Sequence, residues 1–320
     1  MNLFITGGTG FFGKALLKYW AKHGCQFRKI TILSRDPQNF TNVNSDLIKQ
    51  LDCELSFIKG DILNLNNLPV IDDFEYVLHA ATDSTSGPTL TRNTHFEQIV
   101  YGTKSVLSFA KDHGCKKFLI TSSGGIYGKL PDGFSCFDEM YQGTLPVDDL
   151  NSAYGIGKRV AEHMSFLDAS MYSFDVVVAR CFAFIGEDLP LNKHFAIGNF
   201  INDVLSDRNV LINGDGTPIR SYMMQDDLAC WLNTMLLDTK FSGVFNIGSD
   251  ESYCLLDIAK LIIKIAQKDL DIRTNGVSTR DVNRNIYVPS IDKAKSYGLN
   301  LTFSLEESIA ETLRRIEALR

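Results

Sequence analysis

The chain has 320 residues, enough for one large core or two lobes but too few for three domains. With 44% hydrophobic and 22% charged residues it has the composition of a folded globular protein and not of a disordered one. A net charge of -6 argues against a nucleic-acid surface, which needs clustered Lys and Arg, yet leaves room for a nucleotide pocket with a few arginines.

No apolar run approaches the ~20 residues of a membrane span. Glycines cut the apolar N-terminal stretch short, so no signal peptide is expected and no membrane partner. Seven scattered cysteines (Cys25, Cys53, Cys115, Cys136, Cys181, Cys230 and Cys254) never form a C-x-x-C. They predict small buried hydrophobes in a reducing, cytoplasmic setting, with neither a disulfide framework nor a metal site.

In chain order, Asn2–Ile5 predicts a strand and Gly13–His23 a helix, with Leu16, Leu17 and Trp20 at helical spacing. Lys29–Leu33 and Leu55–Lys59 read as strands, Tyr76–Ala80 as a buried strand and Glu97–His113 as a long helix. Lys117–Ser122 is a strand ending in a Ser-Ser-Gly-Gly turn, Ala153–Phe166 a helix and Phe174–Ala179 a strand. Beyond Gly186 the pattern loosens: Leu189–His194 is loop-like, Phe195–Ser206 helical, and Val210–Asp215 closes in a glycine turn. Tyr222–Leu237, Leu255–Lys268 and Leu305–Leu319 read as further helices.

This alternation predicts an α/β fold with a doubly wound parallel sheet. The sheet domain is expected over residues 1–184 with segments returning at about 212–250; residues 185–211 and 251–320 form a smaller, interleaved α/β C-terminal lobe for substrate. Ligands of such sheets lie beyond the carboxyl ends of the strands, where the motifs fall.

Glycines at Gly7, Gly8, Gly10 and Gly13 follow the first strand and open the first helix, with Phe11 and Phe12 between the last two. Glycine lets the backbone turn sharply and approach a pyrophosphate held by the N–H groups and dipole of a helix N-terminus. A dinucleotide is therefore expected at Gly7, Gly10, Phe11, Phe12 and Gly13. The second strand ends Ile32-Leu33-Ser34-Arg35, with no carboxylate to repel a 2′-phosphate. A hydroxyl at Ser34 beside the Arg35 guanidinium can hold that phosphate, which favours NADP(H) over the alternative, NAD(H). Asp36 competes, since it can pair with Arg35 or reach the ribose itself.

Ser152-Ala-Tyr-Gly-Ile-Gly-Lys158 sets Tyr154 and Lys158 four residues apart on one helix face. A phenol of pKa about 10 is a poor base at neutral pH, but an adjacent ammonium favours its ionised form. Tyr154 can then exchange a hydroxyl proton while hydride moves to or from a nicotinamide, and Lys158 can also hold the nicotinamide ribose.

The Gly7-x-x-Gly10-x-x-Gly13 spacing, with these motifs following in order, resembles the extended short-chain dehydrogenase/reductase family. Its sugar-nucleotide epimerases, dehydratases and reductases run to about this length, and the resemblance covers nearly the whole chain. It implies a Rossmann-type fold. It also implies that Asp61, in Gly60-Asp61-Ile62, accepts from the adenine amino group with Ile62 beside it, and that Ala80 and Ala81 lie along the adenosine. Ser123 takes the position that polarises the same substrate oxygen as Tyr154, while strand alternation points Ser122 away. Within Asn213–Asp227 the matching diphosphate contact is Arg220; His194 and Phe195 fall where the nucleotide is touched, and Arg284 where a second diphosphate contact would lie. The partner so implied is a nucleotide-diphosphate sugar. Relatives also pair as homodimers through the tyrosine-bearing helix, where Ala161 and Met164 offer apolar surface.

The family's 4,6-dehydratases carry an Asp-Glu pair right after the strand-end Thr or Ser, and here those positions are Gly124 and Gly125. Elimination of water lacks its acid and base, so a dehydratase is not expected. The favoured reaction is NADPH-dependent reduction of the 4-keto group of a nucleotide-linked (6-deoxy)hexose, in surface-polysaccharide sugar synthesis. The alternative is an NAD-dependent 4-epimerase with tightly bound cofactor, and a third is a non-catalytic dinucleotide-binding regulator. Two family asparagines are replaced, by Ile99 before Gly102-Thr103 and by Ala183 after Arg180. Those losses question the usual support of the catalytic strand and the usual grip on the diphosphate.

Overall fold

The computed structural model describes residues 1–65, 68, 72–82, 90–276 and 285–319. The first half contains β1 (Asn2–Thr6), α1 (Phe11–His23), β2 (Lys29–Ser34), α2 (Pro37–Val43), α3 (Ser45–Lys49), β3 (Glu54–Lys59), β4 (Tyr76–His79), α4 (Arg92–Asp112) and β5 (Lys117–Ser123). Then come α5 (Ala153–Tyr172), β6 (Asp175–Cys181), β7 (Phe184–Ile185), α6 (Ala196–Leu205), β8 (Val210–Ile212), β9 (Ile219–Arg220), β10 (Met223–Met224) and α7 (Gln225–Leu237). The chain closes with β11 (Gly243–Ile247), β12 (Tyr253–Cys254), α8 (Leu255–Ile265), β13 (Ile272–Thr274), β14 (Ile286–Tyr287), α9 (Asp292–Ser296) and α10 (Leu305–Ala318).

Seven strands form one sheet in the order β11-β6-β5-β4-β1-β2-β3. Pairing is parallel from β3 through β2, β1 and β4 to β5, with Phe4 set between Thr31 and Val77. Every residue of β5 is buried, as expected where helices cover both sheet faces and no polar face is needed. Strand order reverses around β1, which has β2 on one side and β4 on the other. The carboxyl ends of β1 and β4 therefore frame the crevice where such sheets bind ligands.

Packing fixes these strands. Phe4 lies 4.4 Å from Phe109 and 5.2 Å from Phe74, ring centre to ring centre, and all three rings are buried. Truncating one such ring to alanine costs about 3–5 kcal/mol. The α1 helix buries Leu16, Leu17 and Trp20, and the Trp20 indole N–H donates to Asn233 Oδ1 at 2.8 Å. That bond satisfies the polar atom that would otherwise make a fully buried tryptophan costly.

Boundaries shift where caps or distant pairing overrule the apolar period. The α4 helix starts at Arg92 and not at Glu97, because Thr91 caps it by accepting from the Thr94 amide. The α5 helix continues past Phe166 to Tyr172 and stops where Ser173 adopts a left-handed conformation, φ 58°. The helix expected from Tyr222 starts only at Gln225, since Met223 and Met224 pair with Phe184 and Ile185 as parallel strands. Of Val210–Asp215 only Val210–Ile212 is a strand.

The residues group into two compact units. The first is Met1–Ile126, Leu145–Arg180 and Leu228–Phe245; the second is Tyr127–Thr144, Cys181–Asp227 and Asn246–Arg320. In the second, β9 lies between β12 and β14, β8 pairs with β13, and β7 with β10. The Arg315 guanidinium binds Asp226 through two 2.8 Å bonds and Glu187 at 3.2 Å, tying α10 to the start of α7. Asp227 accepts from the amides of Thr302 and Phe303, fixing the approach to α10.

Two expectations are corrected. Of the seven cysteines only Cys181 is buried; the others are half-buried, several of them next to helix or strand ends where packing is incomplete. Ala161 is 1% exposed, and Met164 packs against the core, so neither offers the surface assigned to it. The exposed apolar side chains on α4 and α5 are Tyr101, Phe166, Leu167, Met171 and Tyr172. Among the described residues no helix is long and apolar enough to cross a membrane.

Candidate active site

The glycine loop is built by steric exclusion. Gly7 has φ +77°, and a Cβ there would lie 2.5 Å from the Ala80 carbonyl. The loop thus rests directly on the end of β4, bringing Gly7 against Ala80 and Ala81. A Cβ on Gly13 would fall 2.1 Å from the Gly8 carbonyl oxygen, so α1 packs backbone to backbone on the loop. Gly10 differs: an added Cβ would meet only the Gly7 oxygen, at 3.3 Å. Gly10 is also the N-cap of α1, with no side-chain cap and no acidic residue in the first turn. An open glycine beside uncapped helix N–H groups fits a diphosphate. Phe11 and Phe12, half-buried, are the first two helical residues.

At the end of β2, Ser34 is buried and its hydroxyl accepts from the Asp36 amide at 3.2 Å. The Asp36 carboxylate accepts from the Asn39 amide at 3.2 Å and caps α2, so the competing acid is engaged in that cap. Arg35 is exposed. Asp61 is exposed and turns its carboxylate to the Leu63 amide at 2.9 Å. Ile62 packs on α4, where a Cβ on Gly102 would lie 2.5 Å from its Cδ1.

The proposed acid–base set gathers around the turn after β5. Ser123 Oγ accepts from the Gly125 amide at 3.0 Å. A Cβ built on Gly125 would lie 3.3 Å from that oxygen and 3.6 Å from two carbons of the Tyr154 ring. Ser123 and Tyr154 thus flank one bare glycine. A Cβ on Gly155 would lie 2.5 Å from the Gly125 carbonyl oxygen, so the start of α5 seats tightly on this turn. The His95 ring, from α4, is 5.3 Å from that of Tyr154.

Lys158, one turn along α5, is 4% exposed. Its ammonium donates to the Thr121 carbonyl at 2.8 Å and to Thr82 Oγ1 at 2.7 Å. Nearby, His79 bridges Thr6 Oγ1 at 2.7 Å and Thr103 Oγ1 at 3.1 Å. Burial, with the Lys158 charge adding to it, pulls the His79 imidazole down to about 3, so it stays neutral. The Lys158 ammonium thus sets a positive charge one turn from Tyr154 on the same helix.

A second buried network stands behind this set. Ser122 Oγ donates to Glu162, and Arg180 grips the same carboxylate through Nε and Nη2, the latter at 2.8 Å. It ties β5, α5 and β6 together, with Ser122 turned to Glu162 and Ser123 to Gly125. Glu162 lies four residues from Lys158, and Thr121 two from Ser123, so helical and strand periods carried a signal for both. Thr82 had none, because only tertiary packing brings it to Lys158. Ile99, in place of the family asparagine, is 4% exposed, and a Cβ on Gly157 would lie 3.6 Å from it.

In the second unit, Arg220 lies on β9 and Nη1 donates to the carbonyls of Ile219 and Asn285, both at 2.8 Å. Burial lowers its pKa without discharging it, and Nε and Nη2 are the donors it can offer an anion. Burial also pushes the Tyr222 phenol up to about 12. His194 is exposed, with its ring 4.3 Å from that of Phe195, which caps α6. Arg284 lies outside the described residues.

Residues 3–248 match the model of the NAD dependent epimerase/dehydratase family. A dTDP-D-glucose 4,6-dehydratase of Dictyostelium discoideum is 28% identical over 276 residues, 83% of this chain and 62% of that protein. A trifunctional UDP-glucose 4,6-dehydratase/UDP-4-keto-6-deoxy-D-glucose 3,5-epimerase/UDP-4-keto-L-rhamnose-reductase of Arabidopsis thaliana is 24% identical over 98% of this chain and 46% of its own length. The chain thus spans about half to two thirds of the length of these relatives. The structure of UDP-glucuronic acid 4-epimerase from Bacillus cereus, in complex with UDP-glucuronic acid and NAD, superimposes with a TM-score of 0.83 at 23% identity over 100% of both chains.

Proposed function

The chain belongs to the NAD dependent epimerase/dehydratase family, and from that premise we propose that it transfers hydride at C4 of a nucleotide-linked (6-deoxy)hexose, reducing a 4-keto group with NADPH. The observation that carries the reading is Ser123 and Tyr154 flanking bare Gly125, with the buried Lys158 ammonium one turn away. The glycine loop would hold the diphosphate, Asp61, Ala80 and Ala81 the adenosine, and Ser34 with Arg35 a 2′-phosphate. The bound nicotinamide supplies the hydride. Ser123 donates to the substrate oxygen and orients it; Tyr154 gives that oxygen its proton as charge develops there. Lys158 stabilises the phenolate left behind, and the Thr121 and Thr82 bonds keep its ammonium in place. Arg220, with Arg284, would take the diphosphate, and His194 and Phe195 the base.

The same proton and hydride steps serve a 4-epimerase. That second reading is favoured by the full-length likeness to an NAD-containing 4-epimerase. Dehydration is not proposed, despite the Dictyostelium relative's activity, because Gly124 and Gly125 offer no acid or base. Two copies pairing through α4 and α5 would cover Tyr101, Leu167 and Met171, each at least 55% exposed.

One experiment separates the readings. Purified protein is denatured, the released nucleotide is weighed by mass spectrometry, and fresh protein is assayed with NADPH plus a dTDP- or UDP-4-keto-6-deoxyhexose. Consumption of NADPH with a reduced sugar is expected. Tightly bound NAD with interconversion of UDP-hexoses, and no use of NADPH, selects the epimerase.

A further inference from the structure

Cys25 and Cys53 lie in the first unit, outside the site above, and both are half-buried. Cys25 follows α1, and Cys53 stands just before β3. The backbone brings the two segments together. The Cys25 amide donates to Asp52 Oδ1 at 2.9 Å, the Glu54 amide donates to the Arg28 carbonyl at 3.1 Å, and Lys29 pairs with Glu54 across β2 and β3. Cys25 and Cys53 thus come close enough for each thiol to perturb the ionisation of the other. Other half-buried thiols have different partners: Cys254 meets Asp257, and Cys230 meets Tyr19.

We propose that Cys25 and Cys53 are a redox-modification site, a thiol pair that a peroxide closes into a disulfide and a dithiol reopens. The inference is independent of the chemistry proposed above.

Proximity assigns the roles: the Cys25 thiol beside it lowers the Cys53 pKa, whereas Cys53 and burial raise that of Cys25. Cys53 is therefore the better source of thiolate, the reactive form. Its sulfur attacks one peroxide oxygen, the O–O bond breaks, and the departing hydroxide takes up a proton to become water. Cys53 is then a sulfenic acid. The Cys25 sulfur attacks it, the S–S bond forms, the S–O bond breaks, and the hydroxide leaves as water with the Cys25 proton. In sum two thiols lose two electrons and two protons, and one peroxide becomes two waters.

Placement sets the consequence. The thirteen-residue α1 helix, about 20 Å long, separates Cys25 from the glycine loop, so oxidation leaves dinucleotide binding intact. The bond closes a loop from residue 25 to residue 53, which restricts the unfolded chain and stabilises the fold.

The test treats the full-length chain with stoichiometric hydrogen peroxide, digests it without reductant and maps the peptides by mass. The Cys25 and Cys53 peptides are expected joined and lighter by two hydrogens, reverting with dithiothreitol, while Tm rises by roughly 5 °C. Cys25→Ser should leave Cys53 as a sulfenic acid trapped by dimedone. The proposal is overturned if both thiols still alkylate after other cysteines have oxidised, if Cys53 joins another cysteine as readily, or if Cys25 oxidises as fast in Cys53→Ser.

Discussion

The two compact units are assembled at different length scales. In the first, strands of four to seven residues alternate with helices of five to twenty-one, and each chemical motif is contiguous, at a strand end or along one helix. In the second, most strands are two or three residues long and find partners far along the chain: β9 at Ile219–Arg220 pairs with β14 at Ile286–Tyr287, and β8 with β13. A four-residue apolar run outlines itself in the sequence, whereas a two-residue strand exists only through a partner that pattern cannot supply. The first unit should therefore fail when a local motif is broken, and the second when a distant tie is cut.

The largest effect is expected at the acid–base pair. Tyr154→Phe should lower turnover by about 10³-fold, or about 4 kcal/mol in the barrier, with the fold unchanged by circular dichroism. Lys158→Met should do nearly as much, because Thr82 and Thr121 bind the ammonium that the methionine lacks. Full activity in Tyr154→Phe would reject the assignment.

Next come the glycines, which test the comparison directly. Gly13→Ala forces a Cβ to within 2.1 Å of the Gly8 oxygen, and about 3 kcal/mol of stability should go, along with dinucleotide binding. Gly214→Ala in the second unit meets nothing within 4 Å and should stay within about 0.5 kcal/mol of wild type by urea denaturation. Equal losses at the two sites would dissolve the contrast.

Arg315 probes the opposite half. Its ties reach Asp226 on α7, Glu187 in the turn after β7 and Glu311 on α10, so Arg315→Ala should cost about 2 kcal/mol. The same network sets a pH dependence. Hydrogen bonds from Arg314 and Arg315 hold Glu311 down to about 2, below the ordinary value of about 4.3. A depressed carboxylate contributes its stability above the unfolded value and loses it as the pH falls toward 2. Acid melts of the wild type should weaken between about pH 4.5 and 2, and Glu311→Gln should flatten that limb.

Legibility followed the same division, with one instructive exception. The Gly7–Gly13 loop and the Tyr154–Lys158 spacing could be read because a strand or a helix fixes their geometry locally. One support of Lys158 could not, although it lies in the same unit: Thr82 reaches the ammonium across 76 residues, and only tertiary packing brings it there. Nor could Arg315, whose carboxylate at Glu187 is 128 residues away. Half-exposed cysteines escaped for a related reason, since residue type predicts average burial and not a place beside an element end.

The smallest prediction asks whether local signals are intrinsically weaker in the second unit. Ser304 and Glu307 form a reciprocal cap on α10: the Ser304 hydroxyl accepts from the Glu307 amide at 3.3 Å, and the Glu307 carboxylate from the Ser304 amide at 2.9 Å. In the first unit Thr91 caps α4 through the Thr94 amide at 3.1 Å. Both caps are exposed and both are made within one turn of the helix start, so Ser304→Ala and Thr91→Ala should each cost about 1 kcal/mol, or roughly 1–2 °C in Tm. Matched losses by calorimetry would show that helix ends follow the same local rules in both units, leaving the short strands as the source of the difference. A loss at Ser304 several times that at Thr91 would mean that α10 nucleates its unit, with β7 and β10 ordering only once that helix is in place.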